Sequence, residues 1–339
     1  MKRFFLIVVA LSLGIIPFLS CASKAHSQAA SVPEKKRSCG TMEVHERLLK
    51  TVPTYRENLE AIDARTSENL MRAVARTEVI KIPVVVHVVY RKTAQNISNE
   101  QIASQIGILN EDYRALNADV SSVPSAFQPL VVDARIEFAL ACRDPEGKPT
   151  NGITRTKTRK RAFKTNDAVK FSARGGHDAW PRDKYLNIWL CKLAGGLLGY
   201  AQFPGGPAAT DGVVITHTAF GDTGTATVPF NKGRTATHEI GHWLNLRHIW
   251  GDDCPGTNQC DGSDFVADTP NQECANYACP TFPHISCRNG PNGDLFMNYM
   301  DYTDDACMFM FSKGQSTGMD GALDGPRLAL LSSDGLNCP

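Results

Sequence analysis

HEIGHWLNLRH, residues 238–248, sets three histidines and one glutamate at spacings that few chemistries need. In a helix, His238 and His242 stand four residues apart, so both imidazoles project from one face, one turn above the other. Two ring nitrogens then meet on one metal ion. Glu239, beside the first histidine, is positioned to hold a water molecule and take its proton, the general-base role in metal-assisted hydrolysis. His248 joins them only if the chain turns near Asn245, because a straight helix would carry it off the shared face. That turn needs positive φ, which glycine adopts freely and asparagine tolerates best among the other residues.

The flanks extend the pattern into a fold. A helix is expected over Thr235–Leu246, with Thr235 or Thr237 near its start and Ile240, Trp243 and Leu244 as its packing stripe. Upstream, KIPVVVHVVY from Lys81 is a β-branched run of the kind that forms a buried strand. Ser98–Leu116 opens on a serine cap with Glu100 and carries Ile102, Ile106, Ile108, Leu109 and Tyr113, an amphipathic helix. Further strands are expected at Ile136–Ala141, Gly152–Arg155, Tyr185–Leu193 and Gly212–His217, with an edge strand inside residues 195–206. An open edge can accept an extended peptide as an added strand. The basic stretch Lys157–Arg174 reads as a solvated loop, and His87 and His177, which lack ligand spacing, as structural. Beyond His248 the chain is rich in Gly, Asp, Asn, Pro and Cys, so regular structure should be sparse until a short helix over Pro326–Leu331.

The chain has 339 residues, 42% hydrophobic and 21% charged, enough for a sizeable core. With 36 basic against 35 acidic side chains, no net field points to nucleic acid or an anionic membrane as partner. Lys2 and Arg3 precede the apolar run Phe4–Leu19, and small residues follow: a secretory signal over 1–27, cut after Ser27. A rival reading takes Cys21 as the lipid-modified first residue of a lipoprotein. No later run is long enough to span a bilayer. Of 11 cysteines, six fall between 254 and 307, a density that implies disulfides and an oxidising, extracellular or periplasmic setting. Residues 28–76 are polar and helix-prone, either a linker or a pro-segment that acts as intramolecular inhibitor. Cys39, in KKRSCGT, favours the second, since a thiolate can fill the open position of a catalytic zinc ion. Arg76 offers a processing point ahead of the folded domain, 77–339.

With its third histidine six residues after the second, the motif resembles the metzincin signature H-E-x-x-H-x-x-G-x-x-H, with Asn245 at the glycine position. MNYMDYTDDACM follows, and Met300 and Tyr302 in it match the methionine turn of that group. Together with CGT at 39–41, PVVVHVVY and GSDFVADTP, these motifs make the chain resemble the pappalysin family from Cys39 to about Gln315. The resemblance implies a mixed α/β (α+β) zinc endopeptidase. Its upper subdomain, 77–248, would hold a twisted mixed five-stranded sheet and two main helices, one of them the active-site helix; the lower, 249–339, would be irregular and tied by disulfides. It further implies that Met300 underlies the metal and that Cys39 keeps a zymogen latent. By the same likeness Tyr302 supports the oxyanion, and Asp305 receives an arginine or lysine just after the scissile bond. Disulfides Cys260–Cys287 and Cys279–Cys307, and a calcium site from Asp264, Thr269 and the Ala267 carbonyl, rest on the resemblance too. Cys254 with Cys274 and Cys142 with Cys191 are further candidate pairs, which leaves Cys338 over.

Three neutral imidazoles leave zinc positively charged with an open position for water, whose pKa falls toward ~7. Two other readings compete. In one, the third ligand is a downstream glutamate, for which Glu273 is the candidate; in the other, the protein is a secreted or lipid-anchored binding module with a non-catalytic metal site. Structural zinc is ordinarily closed by four protein ligands, often cysteines, whereas this motif supplies three histidines and an adjacent base.

Overall fold

The run Ile80–Tyr90 forms the long strand β1, and every other strand is placed by it. From Ile82 to Val89 its side chains are buried on both faces, as a parallel sheet covered on both sides requires. A computed structural model describes Met1 and residues 35–72, 76–254 and 260–339. The expected signal segment, with Cys21, lies outside the described residues. Residues 35–339 form one compact unit.

Strands β2 (Ile136–Leu140) and β3 (Ile153–Lys157) share one edge of β1 end to end: β2 pairs with Ile80–Val84 and β3 with Val86–Tyr90. On the other edge follow β4 (Leu186–Cys191), β6 (Val213–Thr216) and the short β5 (Gly199–Ala201), which is antiparallel to β6 while all other pairs are parallel. The sheet therefore has six strands, not the expected five, because two short strands divide one edge of an eleven-residue strand.

Helix α3 (Asn99–Tyr113) starts at Ser98, whose hydroxyl accepts the Gln101 amide at 3.2 Å, and packs with α4 (Arg234–Trp243) against one face of the sheet. The other face is covered in part by residues 41–62. There α1 (Thr41–Thr51) and α2 (Tyr55–Arg72) bury Val44, Leu48, Tyr55 and Leu59 beside Val89, Trp189 and Val214. Side chains of this size contribute about 1.5–3 kcal/mol each when fully buried, so this stretch is a docked segment and not a linker. His87 is fully buried between Thr154 Oγ1 (2.8 Å) and Asn187 Oδ1 (3.0 Å) and stacks on His177 at 4.4 Å, which accounts for both histidines without a ligand.

One helix was not expected. Helix α5 (Lys313–Leu323) carries Gly314, Gly318 and Gly321, poor helix formers, but a capping box between Ser312 and Gln315 starts it. Its small residues let α2 approach: a methyl group on Gly321 would stand 2.6 Å from Thr66 Oγ1. Helix α5 lies in the part 249–339 expected to be irregular, while the two main helices expected in 77–248 are α3 and α4. The expected helix at Pro326–Leu331 is one 3-10 turn, Leu328–Ser332.

Four disulfides are present among the described residues: Cys254–Cys274, Cys260–Cys287, Cys279–Cys307 and Cys142–Cys338. The candidate pair Cys142–Cys191 does not form, for a topological reason. Strand β1 lies between β2, which leads into Cys142, and β4, which ends at Cys191; two strand spacings exceed a disulfide's reach. The C-terminal residues return beside β2 instead, where the Gly335 carbonyl accepts from the Cys142 and Arg143 amides, and Cys338 is not left over. Cys191 stays a buried free thiol.

Candidate active site

Every residue of α4 is buried. His238 and His242 share its inner face, and the helix then closes on itself: the Leu246 amide donates to the Gly241 carbonyl at 2.9 Å, with Asn245 at φ +72°. This turn sends the chain back so that His248 Nε2 lies 3.0 Å from His242 Nε2, which is 3.2 Å from His238 Nε2. Each Nδ1 faces an oxygen, from Tyr299 O (2.7 Å), Leu246 O (2.7 Å) and Asp252 Oδ1 (2.5 Å) respectively for His238, His242 and His248. Those partners keep the proton on Nδ1 and turn the three Nε2 lone pairs toward one point. Burial, followed by the neighbouring imidazoles, holds His238 and His242 well below their ordinary pKa, so added protons do not relieve the crowding. The donor set fits a metal ion with three neutral imidazole ligands.

A fourth donor joins them. Cys39 Sγ and the three histidine nitrogens all lie within 4.8 Å of one another, the one such group among the described residues. The Cys39 thiol also faces Glu239 Oε2 at 3.3 Å, and the Thr41 hydroxyl donates to the same oxygen at 3.0 Å. Burial outweighs the lowering by these two hydrogen bonds and holds the Glu239 carboxyl up at about 8. Residues 38–41 run parallel to β5: the Leu198 amide donates to Ser38 O (3.1 Å), the Gly40 amide to Gly199 O (2.9 Å) and the Ala201 amide to Thr41 Oγ1 (2.8 Å). The sheet edge is therefore occupied by the chain's own N-terminal segment. Gly199 has no substitute there, since a methyl group would stand 2.7 Å from Glu239 Oε1.

Beneath α4, Met300 is wholly buried, and a methyl group on Gly241 would meet its Sδ at 2.5 Å. The Tyr302 ring lies 5.7 Å from that of His238 and 4.9 Å from that of His248, with Trp250 stacked on His248 at 4.4 Å. Burial raises the Tyr302 phenol well above its usual pKa, and a hydrogen bond from the Cys39 backbone partly offsets this. Asp305 is fully buried and divides its two oxygens. Oδ2 accepts the Lys232 amide (2.8 Å) and the Arg234 amide (3.3 Å) at the start of α4; Oδ1 accepts Arg37 Nη2 at 2.5 Å. The rest of the Arg37 guanidinium is also taken up, Nε by Thr303 O and Nη1 by Thr235 Oγ1, both at 3.1 Å, with the Phe230 ring 5.1 Å away.

Residues 172–324 match the peptidase family described as pregnancy-associated plasma protein-A. An extracellular metalloprotease of Pyricularia oryzae is 30% identical over 324 residues, covering 91% of this chain and 96% of the relative. This chain belongs to the pappalysin family. Extracellular metalloprotease 1 of Coccidioides posadasii is 30% identical, with coverages of 86% and 91%. Among solved structures, a mutant of Tannerella forsythia promirolysin superposes with TM-score 0.80 at 48% identity, covering 87% of this chain and 97% of that one. Mature mirolysin in complex with a cleaved peptide gives 0.73 at 55%, covering 75% and 96%. The protein is a metalloprotease, and zinc is the metal its family implies.

In this pappalysin, Asp264 and Thr269 lie together: the Thr269 hydroxyl donates to the Asp264 carboxylate, 2.8 and 3.0 Å from its two oxygens. Ala267 is exposed in the same turn. Burial pushes the Asp264 carboxyl up to about 7. Glu273 is exposed and stands outside the histidine group. Arg37, Phe230 and Asp252 were not singled out from sequence, while Thr235 was named only as a helix start and Thr41 only within CGT. Arg37 did carry a signal, because residues two apart in an extended chain share a face, so a basic residue two before Cys39 points where Cys39 points.

Proposed function

We propose that this pappalysin is a secreted zymogen of a zinc endopeptidase that cuts on the amino side of arginine. Residues 1–27 are its signal, 28–76 its pro-segment and 77–339 its catalytic domain. The observation that carries the reading is the joint position of Cys39 and Arg37: one thiol among three histidines, and one guanidinium in the buried Asp305 pocket. The extracellular relatives agree with secretion.

His238, His242 and His248 would hold the zinc, with Cys39 completing the set in the latent form. Zinc supplies Lewis acidity and lowers the pKa of water toward neutrality. Glu239 takes the water's proton and returns it to the departing amine. Tyr302 donates to the oxygen on which charge develops, a task that needs the protonated phenol its burial favours. Asp305, Thr235 and the Thr303 carbonyl bind the side chain that follows the scissile bond. Three acceptors in a fork suit a guanidinium, whereas a lysine brings a single nitrogen, so arginine outranks lysine. Met300 and Asn245 hold the metal-binding turn in shape. Calcium held by Asp264, Thr269 and the Ala267 carbonyl would offset the burial that disfavours the Asp264 carboxylate.

Mass spectrometry of products from a mixed peptide library tests the reading. The processed, zinc-loaded enzyme should leave fragments that begin with arginine. Fragments with no basic residue at their new N-termini would remove the role given to Asp305.

A further inference from the structure

A groove of about 810 Å³ runs beside Arg37, with Lys35, Lys36, Leu197, His217 and Phe230 in its lining, and Tyr277 stands outside it. The residue next to Arg37 on the side away from Cys39 is Lys36, and its ammonium nitrogen stands 4.7 Å from the centre of the Tyr277 ring, which is 37% exposed. That is cation–π distance.

Tyr277 is held by the same scaffold that holds Asp305. On one side of it, the Asn276 amide and side chain donate to fully buried Asp301 at 2.8 and 3.0 Å. On the other, the Ala278 carbonyl accepts the Asp304 amide at 2.9 Å. Cys279, two residues after Tyr277, is bonded to Cys307, two residues after Asp305. The ring of Tyr277 also backs onto Tyr302, with centroids 6.0 Å apart. Burial and then the neighbouring Asp301 raise the Tyr277 phenol, so the ring stays neutral, and the Asp301 charge favours a cation beside it.

We propose that Tyr277 forms a second basic subsite, which selects lysine or arginine at the position after the one bound by Asp305. This rests on the Asp305 reading above. Two neighbouring residues of an extended chain present their side chains 3.8 Å of backbone apart in either chain direction, and Lys36 with Arg37 marks both places at once. An exposed cation–π contact contributes about 0.5–1 kcal/mol, a two- to fivefold preference at tenfold per 1.4 kcal/mol.

The test uses matched fluorogenic peptides cleaved by the zinc-loaded enzyme freed of its pro-segment. Arg follows the scissile bond in each, and the next residue is Lys or the uncharged, equally long norleucine. The wild-type enzyme should give a Lys-to-norleucine ratio in kcat/KM of about two to five. Tyr277→Phe, which keeps the π face, should retain the ratio, and Tyr277→Leu should bring it to about one. Equal ratios in the wild type and Tyr277→Leu overturn the subsite, as does a wild-type ratio of one. A third peptide with Ala in place of the Arg separates the two readings: if it is cut as fast as its parent, the Asp305 pocket falls and takes this subsite with it. If Arg is strongly preferred while Lys and norleucine are cut alike, the Tyr277 subsite alone fails.

Discussion

Replacing Arg37 by alanine should open the pro-segment even though Cys39 is untouched. The side chain is almost fully enclosed and makes three hydrogen bonds, one of them to a carboxylate with no exposure of its own. Truncating one partner of a buried, hydrogen-bonded charge pair costs about 2–5 kcal/mol. The lower half of that range applies here, because Asp305 keeps the Lys232 and Arg234 amides on its other oxygen and can rehydrate once the segment lifts. About 2–3 kcal/mol corresponds to a 30- to 150-fold shift toward the open form. Hydrogen exchange reads that shift directly, since the Gly40 and Leu198 amides are bonded across the interface between the segment and the sheet edge. The measurement is made on full-length protein carrying Glu239→Gln, so that no copy processes another. Protection of these amides should fall by the stated factor in Arg37→Ala and by less in Arg37→Lys. If protection stays within threefold of the parent while Cys39→Ala abolishes it, the guanidinium contributes nothing to latency and the reasoning fails.

Glu239→Gln itself should retain about one zinc per chain by elemental analysis while proteolysis of the processed enzyme drops by about 10²–10⁴, the range for a lost general base; near-normal turnover would rule Glu239 out as the base. Gly199→Ala should lower kcat/KM by tenfold or more with zinc retained, because its methyl group displaces the base and not the ligands; an unchanged rate would mean that the carboxylate is free to move. His87 should make stability depend on acid. Burial, with His177 beside it, holds His87 down to about 3, whereas the unfolded chain titrates near its usual ~6.5. The unfolded state therefore takes up the proton first as pH falls: the full contribution is present above ~6.5 and is lost progressively down to about 3. At pH 5 that loss is about 2 kcal/mol, so the fall in Tm from pH 7 to pH 5 should be visibly smaller in His87→Gln than in the wild type. Parallel falls would contradict the buried neutral state.

Local periodicity and local conformational cost made the metal helix and its turn readable in the sequence. The four-residue histidine spacing belongs to any helix, and Asn245 announces its left-handed conformation by being the residue type that tolerates it best. β1 was as plain, because a strand buried on both faces from Ile82 to Val89 leaves mostly apolar, β-branched positions. What was not readable depends on residues distant in sequence. The partner of Cys142 is decided by strand order and by where the C-terminus returns; neither leaves a mark near Cys142. The glycines of α5 argue against a helix until α2 is seen packed on them, at which point they are the reason the contact is possible. Arg37 was legible only in combination with Cys39, as a pair facing one way in an extended strand.

Asp305 joins these separate features. Its Oδ2 receives the amides at the start of α4, so the carboxylate helps place the helix that carries His238, Glu239 and His242. Its Oδ1 receives the pro-segment's guanidinium, and in the proposed enzyme the substrate's. In the proposed enzyme one buried charge would therefore do three things: cap the catalytic helix, select the substrate and hold the latent state. These are separable by chemistry, since Asp305→Asn keeps an acceptor for the helix amides but removes the charge. It should leave the thermal stability of the processed enzyme within about 1 kcal/mol, the scale of one neutral hydrogen bond, while the preference for arginine collapses and the zymogen opens. A variant that unfolds instead would mean that capping of α4 by a full negative charge is what Asp305 chiefly supplies, with selectivity resting on Thr235 and the Thr303 carbonyl.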